Sequence, residues 1–183
     1  MKRTFLSGLF LFLLFFCFYY SSYSQSGVQK IVLIRHGEKP DKGDNLSCQG
    51  LNRALQLPEV LYHKIGVPNQ IDVPTINTGK STSTARMYQT IVPFAIKYNL
   101  NINTKYEVKE IEKIAVHLKQ ATGTTLLVWE HKNIVKLVAA LGIKENLSWD
   151  DNDFDSIWII TFLNGIPKLS KDKENIKPSS SCQ

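Results

Sequence analysis

The chain has 183 residues, 43% hydrophobic and 21% charged, with a formal net charge of +6. That is the composition of one ordinary globular domain, and it excludes collagen-like, mucin-like and wholly disordered chains. The basic residues are scattered and no aromatic-basic stripe interrupts them, so nucleic acid is not an expected partner.

Lys2 and Arg3 precede an unbroken apolar run from Leu9 to Tyr20, and Ser21, Ser22, Tyr23 and Ser24 follow it. The run suits the apolar core of an export signal and falls well short of the roughly 20 residues that span a bilayer as a helix. Residues 1–24 read as a secretory signal peptide, and a periplasmic or secreted protein with no membrane span after cleavage is expected. Phe15 and Phe16 stand before Cys17 where a lipoprotein signal wants small residues; an uncleaved anchor is the alternative. The leader carries six of the nine phenylalanines. Two cysteines remain, Cys48 and Cys182. They make no disulfide framework, and the polar surroundings of Cys182 argue against pairing. Neither stands at a metal-ligand spacing, so no metal or cofactor is called for.

Residues 28–34 form a nearly continuous apolar run, the pattern of a strand buried on both faces. Arg35-His36-Gly37-Glu38-Lys39-Pro40 ends it with polar groups, at the place where a strand of an open α/β sheet meets the binding crevice. Leu51, Ala54, Leu55, Val60 and Leu61 keep a helical period that Pro58 interrupts, which predicts a kink or two short helices. A strand over 73–77 then leads through Thr78-Gly79-Lys80-Ser81-Thr82-Ser83 to a helix marked by Ala85, Tyr88, Gln89 and Val92. Val108, Ile111, Ala115 and Leu118 mark another helix, with Gly123 beyond its end. Residues 124–129 are β-branched and apolar, a central strand that Glu130 and His131 terminate. A short helix over 134–141 stops at Gly142, and 156–163 is a last strong strand. Asn164-Gly165 reads as a hairpin turn into 166–169. The alternation predicts a three-layer α/β/α sandwich with a mostly parallel sheet over residues 25–169. Residues 170–183 are polar, rich in Lys and Ser, and read as a disordered tail.

The segment richest in chemistry is Ile34-Arg35-His36-Gly37-Glu38. It puts an imidazole at the mouth of the sheet, beside a guanidinium suited to bidentate oxyanion binding and a glycine that lets backbone approach a ligand. Leu33-Ile34-Arg35-His36-Gly37-Glu38 resembles the hallmark of the histidine phosphatase superfamily, also called phosphoglycerate mutase-like. Three further segments extend the resemblance in order: 46–54 with Gly50 ahead of the first helix, Arg86-Met87-Tyr88-Gln89-Thr90, and Leu126-Leu127-Val128-Trp129-Glu130-His131. The resemblance implies that His36 is the nucleophile, and that Arg35, Arg86 and His131 bind the phosphoryl oxygens. A neutral imidazole is a nucleophile near neutral pH, and phosphoryl transfer then asks chiefly for positioning and charge stabilisation.

The same resemblance implies a proton donor for the leaving oxygen. In mutase-like members it is a Glu in an insertion between the second Arg and the second His, and the stretch from Arg86 to His131 looks trimmed of it. Glu130 is the favoured candidate, although neighbours on a strand point to opposite faces. Glu38 and the helical Glu107, Glu110 and Glu112 are the alternatives. Gly79-Lys80-Ser81-Thr82 resembles the end of a Walker A loop, but Pro74 stands where its first glycine belongs; Lys80, Ser81 and Ser83 remain candidates for the pocket rim. Asp151, Asp153 and Asp155 lack the Gly and Glu of a calcium loop and read as a polar loop. His63 and His117 read as structural, and Trp149 and Trp158 as core or pocket wall.

The chain is thus expected to be a metal-independent phosphatase acting on phosphomonoesters through a phosphohistidine at His36. A phosphorylated small molecule is the expected substrate, with a phosphoprotein or a phosphodiester as alternatives. A binding module that keeps the pocket with little turnover is the rival from another class.

Overall fold

The structure, a computed structural model, describes residues 28–76 and 84–182. The signal-peptide reading of 1–24 and the rim candidates Lys80, Ser81 and Ser83 lie outside the described residues. The strands are β1 (Gln29–Arg35), β2 (Gln70–Asp72), β3 (Ile102–Asn103), β4 (Thr124–Trp129), β5 (Ser156–Leu163) and β6 (Ile166–Lys173). The helices are α1 (Cys48–Ile65), α2 (Ala85–Tyr98), α3 (Ile111–Gln120) and α4 (His131–Ala140). None of these helices is long and apolar enough to cross a membrane.

The apolar runs of β1 and β4 become the centre of a six-stranded sheet of order β3-β2-β4-β1-β5-β6. Their side chains alternate between two cores. Ile31, Leu33, Leu127 and Trp129 pack on α3 and α4 through Ile114, Leu118, Ile134 and Leu137. Val32, Ile34, Leu126 and Val128 pack on the other face against α1 and α2 through Leu57, Leu61, Ile91 and Phe94. Helices thus cover both faces, as the three-layer reading requires.

The sheet itself is mixed rather than mostly parallel. β3, β2, β4 and β1 pair in parallel, β5 runs antiparallel to β1, and β6 antiparallel to β5. The Asn164-Gly165 turn imposes the last reversal. Both residues have positive φ, 52° and 78°, the geometry of a tight turn whose twist matches the strands it joins.

Other elements shift from their sequence positions. β2 ends at Asp72: Val73 N–H makes a last bond to Asn103 O at 3.0 Å, and Pro74 has no N–H to continue the ladder. β3, only two residues long, carries no periodic signal. α1 runs unbroken through Pro58; the neighbouring Leu57 and Leu61 are fully buried, and that packing outweighs the one lost backbone bond. α4 starts at His131, three residues before its apolar stripe.

The tail is a correction. Residues 170–173 belong to β6, Glu174 is 2% exposed and Ile176 joins the α1/α2 core. Asn52 Nδ2 donates to Ser179 O and Ser181 O at 2.9 and 2.8 Å. Cys182 forms a disulfide with Cys48, against the sequence expectation. The polarity of the segment misled because backbone carbonyls and one buried carboxyl group, rather than apolar side chains, hold most of it.

Candidate active site

The parallel register sets Arg35 beside Trp129, so the segments leaving β1 and β4 emerge side by side. His36 N–H donates to Trp129 O at 3.3 Å. This neighbourhood brings Arg35, His36, Glu130 and His131 together, and the start of α2 adds Arg86. All five line one cavity of about 230 Å³, with Lys39, Thr84, Met87, Val108 and Lys132.

The turn after β1 is built on close backbone approach. A Cβ at Gly50 would stand 2.2 Å from Glu38 O, and one at Gly37 would stand 3.0 Å from Gly50 O. Ser47, the N-cap of α1, accepts from Gly50 N–H and donates through Oγ to Glu38 O, both at 3.1 Å. Gly37 N–H donates to Thr90 Oγ1 at 2.9 Å. Gln89 binds the 43–47 segment twice, accepting from Leu46 N–H at 3.1 Å and donating to Asn45 Oδ1 at 2.8 Å. The Gln-Thr pair that follows Arg86 in sequence therefore fastens α2 to the loop carrying His36.

His36 is 6% exposed. Its Nδ1 meets Gly37 O at 2.7 Å, so Nδ1 carries the proton of the neutral ring and Nε2 keeps a free lone pair. Burial, opposed by the Gly37 hydrogen bond and assisted by the charges of Arg35, Arg86 and His131, lowers its pKa to about 4. Arg35 is also pushed down by burial. Its Nη1 donates to the carbonyls of Asp151 and Asp153 at 2.7 and 3.2 Å, its guanidinium lies 3.8 Å over the Phe154 ring, and its buried Nε has no partner among the described residues. Arg86 donates to Gly43 O and Asn45 O at 2.5 and 3.2 Å.

Glu130 reaches the cavity because the strand ends there. It is the extended N-cap of α4, with φ −82° and ψ 130°, and His131 is already the first helical residue. The change of backbone conformation removes the strand alternation that would separate the two side chains. Asn133 Nδ2 donates to Glu130 Oε2 at 2.5 Å and holds the carboxylate. The rival carboxylates are placed elsewhere. Glu38 is gripped by Arg53, Glu110 is paired with Lys113, and Glu107 and Glu112 are exposed away from the cavity lining.

Asp151 joins this group from the polar loop before β5. Its Oδ1 lies 2.6 Å from His131 Nε2, and this contact with the imidazole, with help from Lys132, holds its carboxyl below the usual range. The other His131 nitrogen is buried without a partner among the described residues. Asp151 is twenty positions from His131, and no periodicity or spacing signals the pair. His117 sits in a polar cluster with Gln70 and Asp72, while Trp149 and Trp158 pack on each other in the core at 4.7 Å.

No family model and no curated protein matches the chain. Solved structures do. The protein histidine phosphatase SixA complexed with tungstate is similar at TM-score 0.55 and 14% identity, covering 79% of this chain and 97% of its own. Phosphoglycerate mutase from Bacillus anthracis strain Sterne is similar at 0.54 and 12%, covering 80% and 93%. A mycobacterial glucosyl-3-phosphoglycerate phosphatase with inorganic phosphate is similar at 0.52 and 15%, covering 79% and 95%. All are histidine phosphatase superfamily proteins, and the chain has their phosphoglycerate mutase-like fold.

Proposed function

We propose that the protein is a metal-independent phosphatase that hydrolyses phosphomonoesters through a phosphohistidine on His36. The observation that carries this reading is a neutral imidazole with a free Nε2, in a cavity shared with two guanidiniums, a second histidine and one carboxyl group. Arg35, Arg86 and His131 bind the non-bridging oxygens and offset their charge. His36 Nε2 attacks phosphorus, the bond to the leaving oxygen breaks, and Glu130 gives that oxygen its proton. In the second half Glu130 takes a proton from water, the water oxygen attacks phosphorus and the N–P bond breaks. Inorganic phosphate departs and His36 is neutral again. The structural neighbours support the reading, since two of those described are phosphatases, one solved with tungstate and one with phosphate. The leader supports export, and the substrate class is a small phosphoester or a phosphorylated protein.

The experiment is hydrolysis of an aryl phosphate with and without a chelator. We expect turnover that the chelator leaves intact, loss of at least about 1,000-fold in His36→Ala, and a larger loss on poor leaving groups in Glu130→Gln. Wild-type inactivity, or His36→Ala turning over at the wild-type rate, refutes the phosphatase. A phosphate-binding module with little turnover is the second reading, favoured by the Asp151 carboxylate that already occupies His131 Nε2. It predicts phosphate binding without hydrolysis.

A further inference from the structure

Next to the turn that carries His36, a cluster of one guanidinium and three carboxyl groups takes no part in the proposed chemistry. Arg53, on α1 and 4% exposed, points its guanidinium at three carboxyl groups from three segments. Its Nε donates to Glu38 Oε1 and Oε2 at 3.1 and 3.0 Å, and its Nη2 to Glu38 Oε1 at 2.8 Å. Its Nη1 donates to Glu174 Oε2 at 2.5 Å and stands 3.8 Å from Asp155 Oδ1. Glu38 is two residues after the nucleophile, and its own carbonyl is fixed by Ser47. Asp155 follows Phe154, whose ring lies on Arg35 and 6.1 Å from the His36 ring. Glu174 closes β6, and its N–H donates to Asp155 O at 2.7 Å.

The β5–β6 ladder, which pairs Lys173 with Ser156, brings Glu174 to this position, and the segment after it turns back along α1. Asn175 supplies a left-handed residue at φ 58°, Ile176 enters the core, Asn52 holds two carbonyls and the disulfide ties the end to Cys48. Cys48 is the residue next to the Ser47 cap. One guanidinium therefore joins the nucleophile turn, the loop over Arg35 and the end of a covalently closed strap.

We propose that Arg53 and Glu174 are positioning residues for His36, and that the Cys48–Cys182 bridge keeps them assembled, so that the oxidised protein is the fully active form. The inference rests on the reading of His36 as nucleophile. A guanidinium in a planar fork fixes Glu38 in distance and direction, and the turn that carries His36 has little freedom once Glu38 is fixed at both ends. Small displacements of a nucleophile are expensive in rate, because the reacting atoms must stand about 3–3.5 Å apart and in line. Reduction by a dithiol transfers two electrons and two protons to the bridge. It yields the Cys48 and Cys182 thiols and closes the reductant to its own disulfide. The strap then keeps only its hydrogen bonds and Ile176.

The test compares Glu174→Ala, Glu174→Gln and Cys182→Ser with the wild type, each at a temperature where its unfolding curve shows it folded. Aryl phosphate turnover and single-turnover phosphorylation of His36 are measured. We expect kcat and the phosphorylation rate to fall together by about tenfold in Glu174→Ala, with KM within about threefold, as for an interaction felt at the chemical step. Glu174→Gln keeps an acceptor for Arg53 and recovers most of the rate. Cys182→Ser, which touches no core residue, loses several-fold, and dithiol-treated wild type matches it. A purely structural role lowers the unfolding temperature and leaves kcat of the folded molecules unchanged; that outcome in Glu174→Ala and Cys182→Ser overturns the inference while the phosphatase stands. An inactive wild type overturns both.

Discussion

His36 owes its chemistry to its surroundings more than to its identity. An exposed histidine is half charged near pH 6.5, and its tautomers interconvert. Here the Gly37 carbonyl fixes the proton on Nδ1, while burial and the charges of Arg35, Arg86 and His131 disfavour a second proton. The folded pKa is depressed, so the neutral, nucleophilic form persists as pH falls through 6.5 and is lost only toward about 4. In a titration followed by NMR, the His36 ring resonances are expected to move near that lower value. Movement near 6.5 would show the ring in contact with solvent. The Arg-His-Gly sequence announces where such a group stands; the shift comes from burial and from charges on β1, α2 and α4. Asp151 shows the converse, a carboxylate whose contact with His131 exists only through a loop returning from twenty residues further along.

At the scale of elements, the strands that matter most were the most legible. β1 and β4 carry continuous apolar stretches because helices bury both of their faces, and burial on both faces is written directly into composition. β2 and β3 are short, and two or three paired residues produce no period. The start of α4 was hidden for a different reason: His131 and Asn133 are polar residues of its first turn, so its apolar stripe begins later than its backbone. The start of α1 links fold to site. Ser47 caps the helix and also bonds the carbonyl of Glu38, so Ser47→Ala removes a helix cap and a support of the turn that carries His36 together. A loss of about 1–2 kcal/mol in urea denaturation is expected, accompanied by a measurable fall in kcat. A stability loss below about 0.3 kcal/mol would show that neighbouring groups satisfy both partners.

For the whole molecule, the Arg53 cluster next to the His36 turn makes stability depend on pH. Burial, opposed by Arg53 and reinforced by the charges of Asp155 and Glu38, pushes Glu174 up to about 8. The folded value lies above the ordinary carboxylate value of 4.5, so between the two the folded protein holds a proton that the unfolded chain releases. The contribution of Glu174 is fully present below the lower value and is lost as pH rises through the upper one. Above about pH 6.5, where His36 no longer offsets it, the urea midpoint of the wild type is expected to fall as pH is raised to about 8.5, and in Glu174→Gln this alkaline decline should flatten. His36 acts in the opposite direction at acid pH, since its depressed pKa withdraws stability as pH falls from 6.5 toward about 4.

The sequence by itself determined the class of fold, the positions of the central strands along the chain and the residues at their ends. Burial pattern and local turn chemistry are properties of short stretches of chain, and Arg35, His36, Arg86, Glu130 and His131 all follow from them or from the resemblance they support. The tertiary structure decided the rest: a sheet mixed by its final hairpin, a polar tail folded back and bridged to Cys48, and three carboxyl groups on one buried arginine. Those features pair residues up to 134 positions apart. They are held by polar contacts, whose partners a linear pattern does not specify.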